Sequence, residues 1–116
     1  MPNSEQFLTG FNIYKGMEIG NCVLTNISIS EVNVVRWNKY KYPIELTFEL
    51  IDKSSNNQFE RFFHSLISDI KVIRTSSNRP YICQVVLKNK YKEQNILVLE
   101  LEGYAKRVSE KVASEI

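Results

Sequence analysis

Residues 44–50, Ile-Glu-Leu-Thr-Phe-Glu-Leu, and residues 59–70, Phe-Glu-Arg-Phe-Phe-His-Ser-Leu-Ile-Ser-Asp-Ile, decide the fold. In the first stretch Ile44, Leu46, Phe48 and Leu50 alternate with Glu45, Thr47 and Glu49. That period of two makes a strand with one apolar and one wet face. Asp52, Lys53 and Ser54 end the alternation. Residues 55–58 then read as a capping box, Ser55 accepting from a backbone N–H and Gln58 reaching back. In the second stretch Phe59, Phe62, Phe63, Leu66, Ile67 and Ile70 follow the spacing of a single apolar stripe, which predicts a helix over about residues 55–69. On this pattern Phe62 and Phe63 both face the core. Neither element can bury its apolar side alone, so the helix packs on the sheet that contains the strand. The fold class is α+β: a mainly antiparallel, bent sheet or partial β-barrel with one amphipathic helix packed on it.

Outward from this core, residues 22–37 are rich in β-branched side chains. Val23, Ile27 and Ile29 share one phase whereas Val32 and Val34 hold the other, which places a bulge or bend at Ser30–Glu31. Residues 38–43 read as a polar, aromatic connection. After the helix, residues 71–75 form a short strand and residues 76–80 a turn. Residues 81–88 and 95–102 are strands joined by a loop over 89–94, and Gly103 stops or bends the second of them. The chain divides into an N-terminal arm (1–20), extended or irregular and lying on its own domain or on a neighbour, one α+β domain (21–108), and a C-terminal tail (109–116). Residues 104–116 suit either strand or weak helix.

A chain of 116 residues with 43% hydrophobic residues, six Phe, six Tyr and one Trp supports one packed core. No basic-then-apolar leader opens it, and no run approaches the ~18 apolar residues of a membrane span. The expectation is a soluble protein made in the cytoplasm, with no membrane partner. Cys22 and Cys83 lack a Cys-x-x-Cys partner or a nearby His and read as buried thiols; whether they pair is not legible.

Catalytic chemistry finds no support. The one histidine, His64, falls off the helix stripe with no second ligand or nucleophile elbow around it. Glu45, Glu49, Glu100 and Glu102 recur on strands at spacings that share a sheet face, the pattern of a solvated face. No phosphate-cradling glycine loop, metal motif or cofactor motif is present. The expectation is therefore no enzyme, no cofactor and no metal. Two segments interleave cations with rings: Arg36, Trp37, Lys39, Tyr40 and Tyr42, and Lys90, Tyr91 and Lys92. Tracing the strands as a run of simple reversals brings both to one end of the domain. Such a surface suits stacking on single-stranded nucleic acid or anchoring a protein interface. A net charge of only +2 favours other protein subunits, in a homo- or hetero-oligomer, with nucleic acid as the alternative.

The order strand 44–50, polar break, helix 59–67, link and hairpin ending at 97–103 resembles the core of tail-tube proteins of contractile phages and related secretion tubes. Glu100-Leu101-Glu102-Gly103-Tyr104 is similar to the strand–Gly–aromatic turn that closes that core, and Phe62-Phe63 stands where the helix carries an aromatic anchor. The resemblance spans about residues 44–108. It implies a non-enzymatic structural subunit of a tube, baseplate or tail-completion assembly, built by edge-strand pairing and hydrophobic contacts and located in a virion or tail-like particle.

Overall fold

A computed structural model describes residues 1–52 and 57–116. Over these the chain forms helices α1 (Ser4–Gly10), α2 (Asn57–Ser68) and α3 (Glu110–Ser114). Its strands are β1 (Glu18–Ile19), β2 (Cys22–Ile29), β3 (Asn33–Arg36), β4 (Lys39–Leu50), β5 (Lys71–Arg74), β6 (Pro80–Glu93) and β7 (Ile96–Arg107). All pairings are antiparallel, in the order β1-β2-β4-β7-β6-β5. β7 takes one edge of β4 along residues 39–49. β2 and β3 share the other, β2 beside 44–50 and β3 beside 39–41. The sheet curls into a half-barrel, so the α+β class holds.

The period of two puts Tyr42, Ile44, Leu46 and Phe48 of β4 on the inner face with Leu97, Leu99, Leu101 and Ala105 of β7. Tyr81, Cys83 and Val85 of β6 and Cys22 and Leu24 of β2 join them, and α2 closes this core with Phe59, Phe63 and Leu66. The ring of Phe59 meets that of Phe48 edge-on at 5.1 Å. The buried stripe is narrower than the spacing predicts. Phe62 is half-buried at its margin, and Ile67 and Ile70 are exposed. α2 lies across the curl, in contact with β6 and, towards the opposite edge of the sheet, with β1, and it seats the centre of its stripe while Ile67 and Ile70 stay at the surface. The capping box lies partly outside the described residues, which omit Ser55.

The N-terminal arm opens with a helix, α1, where the sequence suggests an extended or irregular segment; residues 11–17 are irregular and lead into strand β1. Asn3 accepts from the Gln6 N–H and Gln6 Oε1 accepts from the Asn3 N–H, both at 2.8 Å, a reciprocal cap on α1. Seven residues are two turns, too short to show a period. Phe7, Phe11, Ile13 and Met17 are buried, so the segment packs on its own domain.

The chain breaks at Ser30–Glu31, where the apolar phases change, and β2 carries a second irregularity that they do not suggest. Its register with β4 jumps between Leu24 and Asn26, and Thr25 Oγ1 donates to the Thr47 carbonyl. This bulge turns Cys22 and Leu24, then Ile27 and Ile29, to one face and sends Val23 outward. At Ser30–Val32 the chain steps from β2 to β3. Pro43 stands opposite that step, its carbonyl accepting from the Ser30 N–H at 3.0 Å. Its missing donor therefore falls where no strand needs one.

Both expected connections are strands. β4 already begins at Lys39 after a turn at Trp37–Asn38, with Asn38 at φ 65°. β6 runs on to Glu93 and turns at Gln94–Asn95. Gly103 neither stops nor turns β7: it pairs with Tyr42 and Val85 in mid-strand, and β7 continues to Arg107. The ambiguous C-terminus is strand to Arg107, then α3, capped by Ser109 and tied to β5 by Arg74 Nη1–Glu110 Oε1 at 2.6 Å.

Candidate functional site

The registers place the two basic-aromatic segments at opposite ends of the sheet. Tyr40 aligns with Ala105 and Cys83 at one end, whereas Thr47, Val98 and Tyr91 share a row near the other. The traced reversals fail at one point. Asp69–Ile70 does not turn the chain back after α2; β5 runs antiparallel to β6, so β6 descends from the Trp37 end.

Of the eight candidate residues, Arg36, Trp37 and Lys39 stay together. Trp37 forms the tip of the β3–β4 hairpin, 89% exposed, with Val34 and Val35 exposed behind it on β3. Among the described residues β3 pairs with β4 alone, so its other edge is open. Arg36 pairs with Lys39, which faces Lys106, on the outer side of the sheet. Lys39 Nζ lies 5.4 Å from the centre of the Tyr104 ring. Tyr40 points inward, half-buried against Tyr81. Tyr42 is a core residue: fully buried, stacked on Phe7 at 4.4 Å, its phenol donating to the Pro2 carbonyl at 2.5 Å. Burial pushes that phenol well above its ordinary ionisation range. Lys90 and Lys92 lie in rows with Leu99 and Leu97, on the side of α2. Lys90 Nζ sits 5.2 Å from the Phe63 ring centre and 3.9 Å from Glu60 Oε1. Tyr91, between them, points outward beside Val98.

A feature absent from the residue-by-residue reading emerges on the outer face. Its top row is Arg36, Lys39, Lys106 and Ile82, and the next is Asn33, Lys41, Tyr104 and Gln84. Below come Pro43, Glu102 and Val86, then Ser28, Glu45, Glu100 and Asn89. The last two rows are Asn26, Thr47, Val98, Tyr91, and Glu18, Val23, Glu49, Ile96, Glu93. One end is cationic and the other carries five carboxylates. Among the described residues Arg36, Lys39 and Lys106 stand in no ion pair, and neither do Glu18, Glu45, Glu49, Glu93 and Glu100. The halves meet at Glu102, which accepts from the Tyr104 phenol at 2.6 Å and faces Lys41 at 3.1 Å and Lys88 at 3.9 Å. The Tyr104 hydrogen bond first, then the lysines, holds this carboxyl below the usual range. A hint was available in β4, where Lys39 and Lys41 share a phase with Glu45 and Glu49.

On the acidic half, Val98 is only 8% exposed yet lies outside the main core. With Tyr91, Glu93, Gln94 and Ile96 it lines a hollow of about 240 Å³. Partial desolvation, then the Glu45 and Glu100 carboxylates, raises the Tyr91 phenol's ionisation.

His64 is exposed on α2. Glu45 and Glu100 face each other directly, in a depression lined by Ser28, Ser30, Lys88 and Glu102 on the outer surface. Among the described residues no group of three or more His, Cys, Asp or Glu side chains is placed to hold a metal ion. None of the helices there is long and apolar enough to cross a membrane. Cys22 and Cys83 are buried free thiols, Cys83 pushed up to about 12 by burial. Comparison of the chain with protein-family models, with curated proteins and with solved structures finds no match.

Proposed function

We propose that the protein is a non-enzymatic assembly subunit that contacts other protein subunits through the β3–β4 hairpin. The observation that carries this is Trp37, 89% exposed at the hairpin tip, with Val34 and Val35 behind it and an open strand edge alongside. Exposed apolar side chains grouped on a projecting edge mark interaction surfaces, and Trp and Arg are the usual anchors of protein contacts. The setting of a phage-tail-like tube, baseplate or completion structure is part of the same proposal, resting on the order of the elements. Nucleic acid is the weaker reading. The two basic-aromatic segments do not form one surface, and Trp37 is the one strongly exposed ring beside the cations at its end. Native mass spectrometry of the purified protein, alone and with single-stranded oligonucleotide, tests the choice. A discrete protein-only oligomer that is lost in Trp37→Ala supports assembly. A monomer that takes up the oligonucleotide overturns it.

A further inference from the structure

We propose that the partner at this hairpin is a second copy of the chain, docked head to tail. The cationic, Trp37-bearing end of one copy sits on the acidic lower outer face of the next. This rests on the assembly reading above and adds the identity of the partner and the surface it uses.

The net charge of +2 hides a polarised face. Arg36, Lys39 and Lys106 line one end, and Glu18, Glu49 and Glu93 line a single row at the other. From Lys39 to Glu49 along β4 is ten residues, about 33 Å of strand. The two patches are thus too far apart to neutralise each other across the surface, since the screening length is only ~8–10 Å. Glu45 facing Glu100 adds local repulsion, which cations from outside would relieve. The shapes also match. The hollow over Val98 offers Ile96 and the Tyr91 ring, rimmed by Glu93 with Glu49 on the neighbouring strand. Trp37 presents an exposed indole flanked by Arg36 and Lys39. An apolar ring framed by cations meets an apolar floor framed by carboxylates.

Charge also decides against a symmetric packing of head on head. Two hairpin ends packed about a two-fold axis would bring Arg36, Lys39 and Lys106 against their own copies. Docked through one head and one tail the contact is heterologous, so each copy keeps a free head or tail and the contact repeats into a ring or filament; two copies set antiparallel face to face would instead close as a dimer with both head–tail contacts made.

The test uses two variants of the whole chain, the head variant Arg36→Glu/Lys39→Glu and the tail variant Glu49→Lys/Glu93→Lys. Circular dichroism and melting confirm that each folds. In sedimentation velocity the wild type should form a discrete assembly that dissociates at high salt, and each variant alone should run as monomer. A 1:1 mixture should recover association, because the acidic tail of the head variant meets the intact head of the other. Trp37, the only tryptophan, should shift its emission to the blue as the wild type assembles. If the wild type assembles and the variants assemble equally well, this contact is wrong while the assembly function stands. A wild type that stays monomeric overturns both. A monomer that binds oligo-dT through Arg36 and Lys39 assigns the cations to nucleic acid and overturns the docking.

Discussion

Gly103 and Phe7 occupy one space: a Cβ added at Gly103 would lie 2.4 Å from Cζ and 2.5 Å from Cε1 of the Phe7 ring. The ring is fully buried and stacks on Tyr42, the residue that pairs with Gly103 across the sheet. The missing side chain in β7 is thus the seat of α1. Gly103→Ala should destabilise by about 1–3 kcal/mol through overpacking, and Phe7→Ala by about 3–5 kcal/mol through the cavity it leaves. In urea denaturation the double variant should lose less than the two singles together, since removing the ring makes room for the methyl. Strict additivity would mean that the ring is not seated on Gly103.

α2 offers a graded series. Phe63→Ala should cost about 3–5 kcal/mol, as for other buried aromatic residues. Phe62→Ala should cost clearly less, because that ring keeps part of its surface in water. His64→Ala, on the exposed side, should stay within about 0.5 kcal/mol. Equal losses at Phe62 and Phe63 would place the helix in a different rotation on the sheet.

Tyr42→Phe keeps the ring in the core and removes only the hydroxyl that donates to the Pro2 carbonyl. A buried acceptor left without its partner should cost about 1–3 kcal/mol. Protease sensitivity should rise first at the N-terminus, because this bond ties residue 2 to β4. Unchanged stability would indicate that water replaces the phenol.

Cys83 gives the pH dependence a sign. Its folded-state ionisation is raised by burial from 9.0 to about 12. The contribution is complete below pH 9. Between pH 9 and about 12 the unfolded chain releases the thiol proton while the folded chain holds it, so stability falls as pH rises. Tyr42, raised in the same direction, extends the loss to higher pH. Chemical denaturation across this range should show the decline, and Cys83→Ala should make it shallower. Native protein should react slowly with a thiol reagent at neutral pH, since both thiols are buried and raised.

The alternation in residues 44–50 and the stripe in residues 59–70 were enough to establish a half-wet strand, an amphipathic helix and their packing, because each period is a local property of the chain. The same locality explains what stayed hidden. Residues 90–92 look like loop by composition, yet they are strand because β7 lies alongside and supplies their hydrogen bonds. Tyr42 looks like a binding ring beside Lys41, yet Phe7, thirty-five positions away, buries it. Gly103 looks like a strand breaker, and only the arrival of α1 shows that its missing Cβ is a seat. The candidate site divides in the same way. Arg36, Trp37 and Lys39 could be picked out as neighbours in sequence, but their distance from Tyr91 and the five-carboxylate face could not. Those depend on register, and register is decided when strands from β1 to β6 pair side by side: a one-residue shift would have sent every one of those charges to the other face.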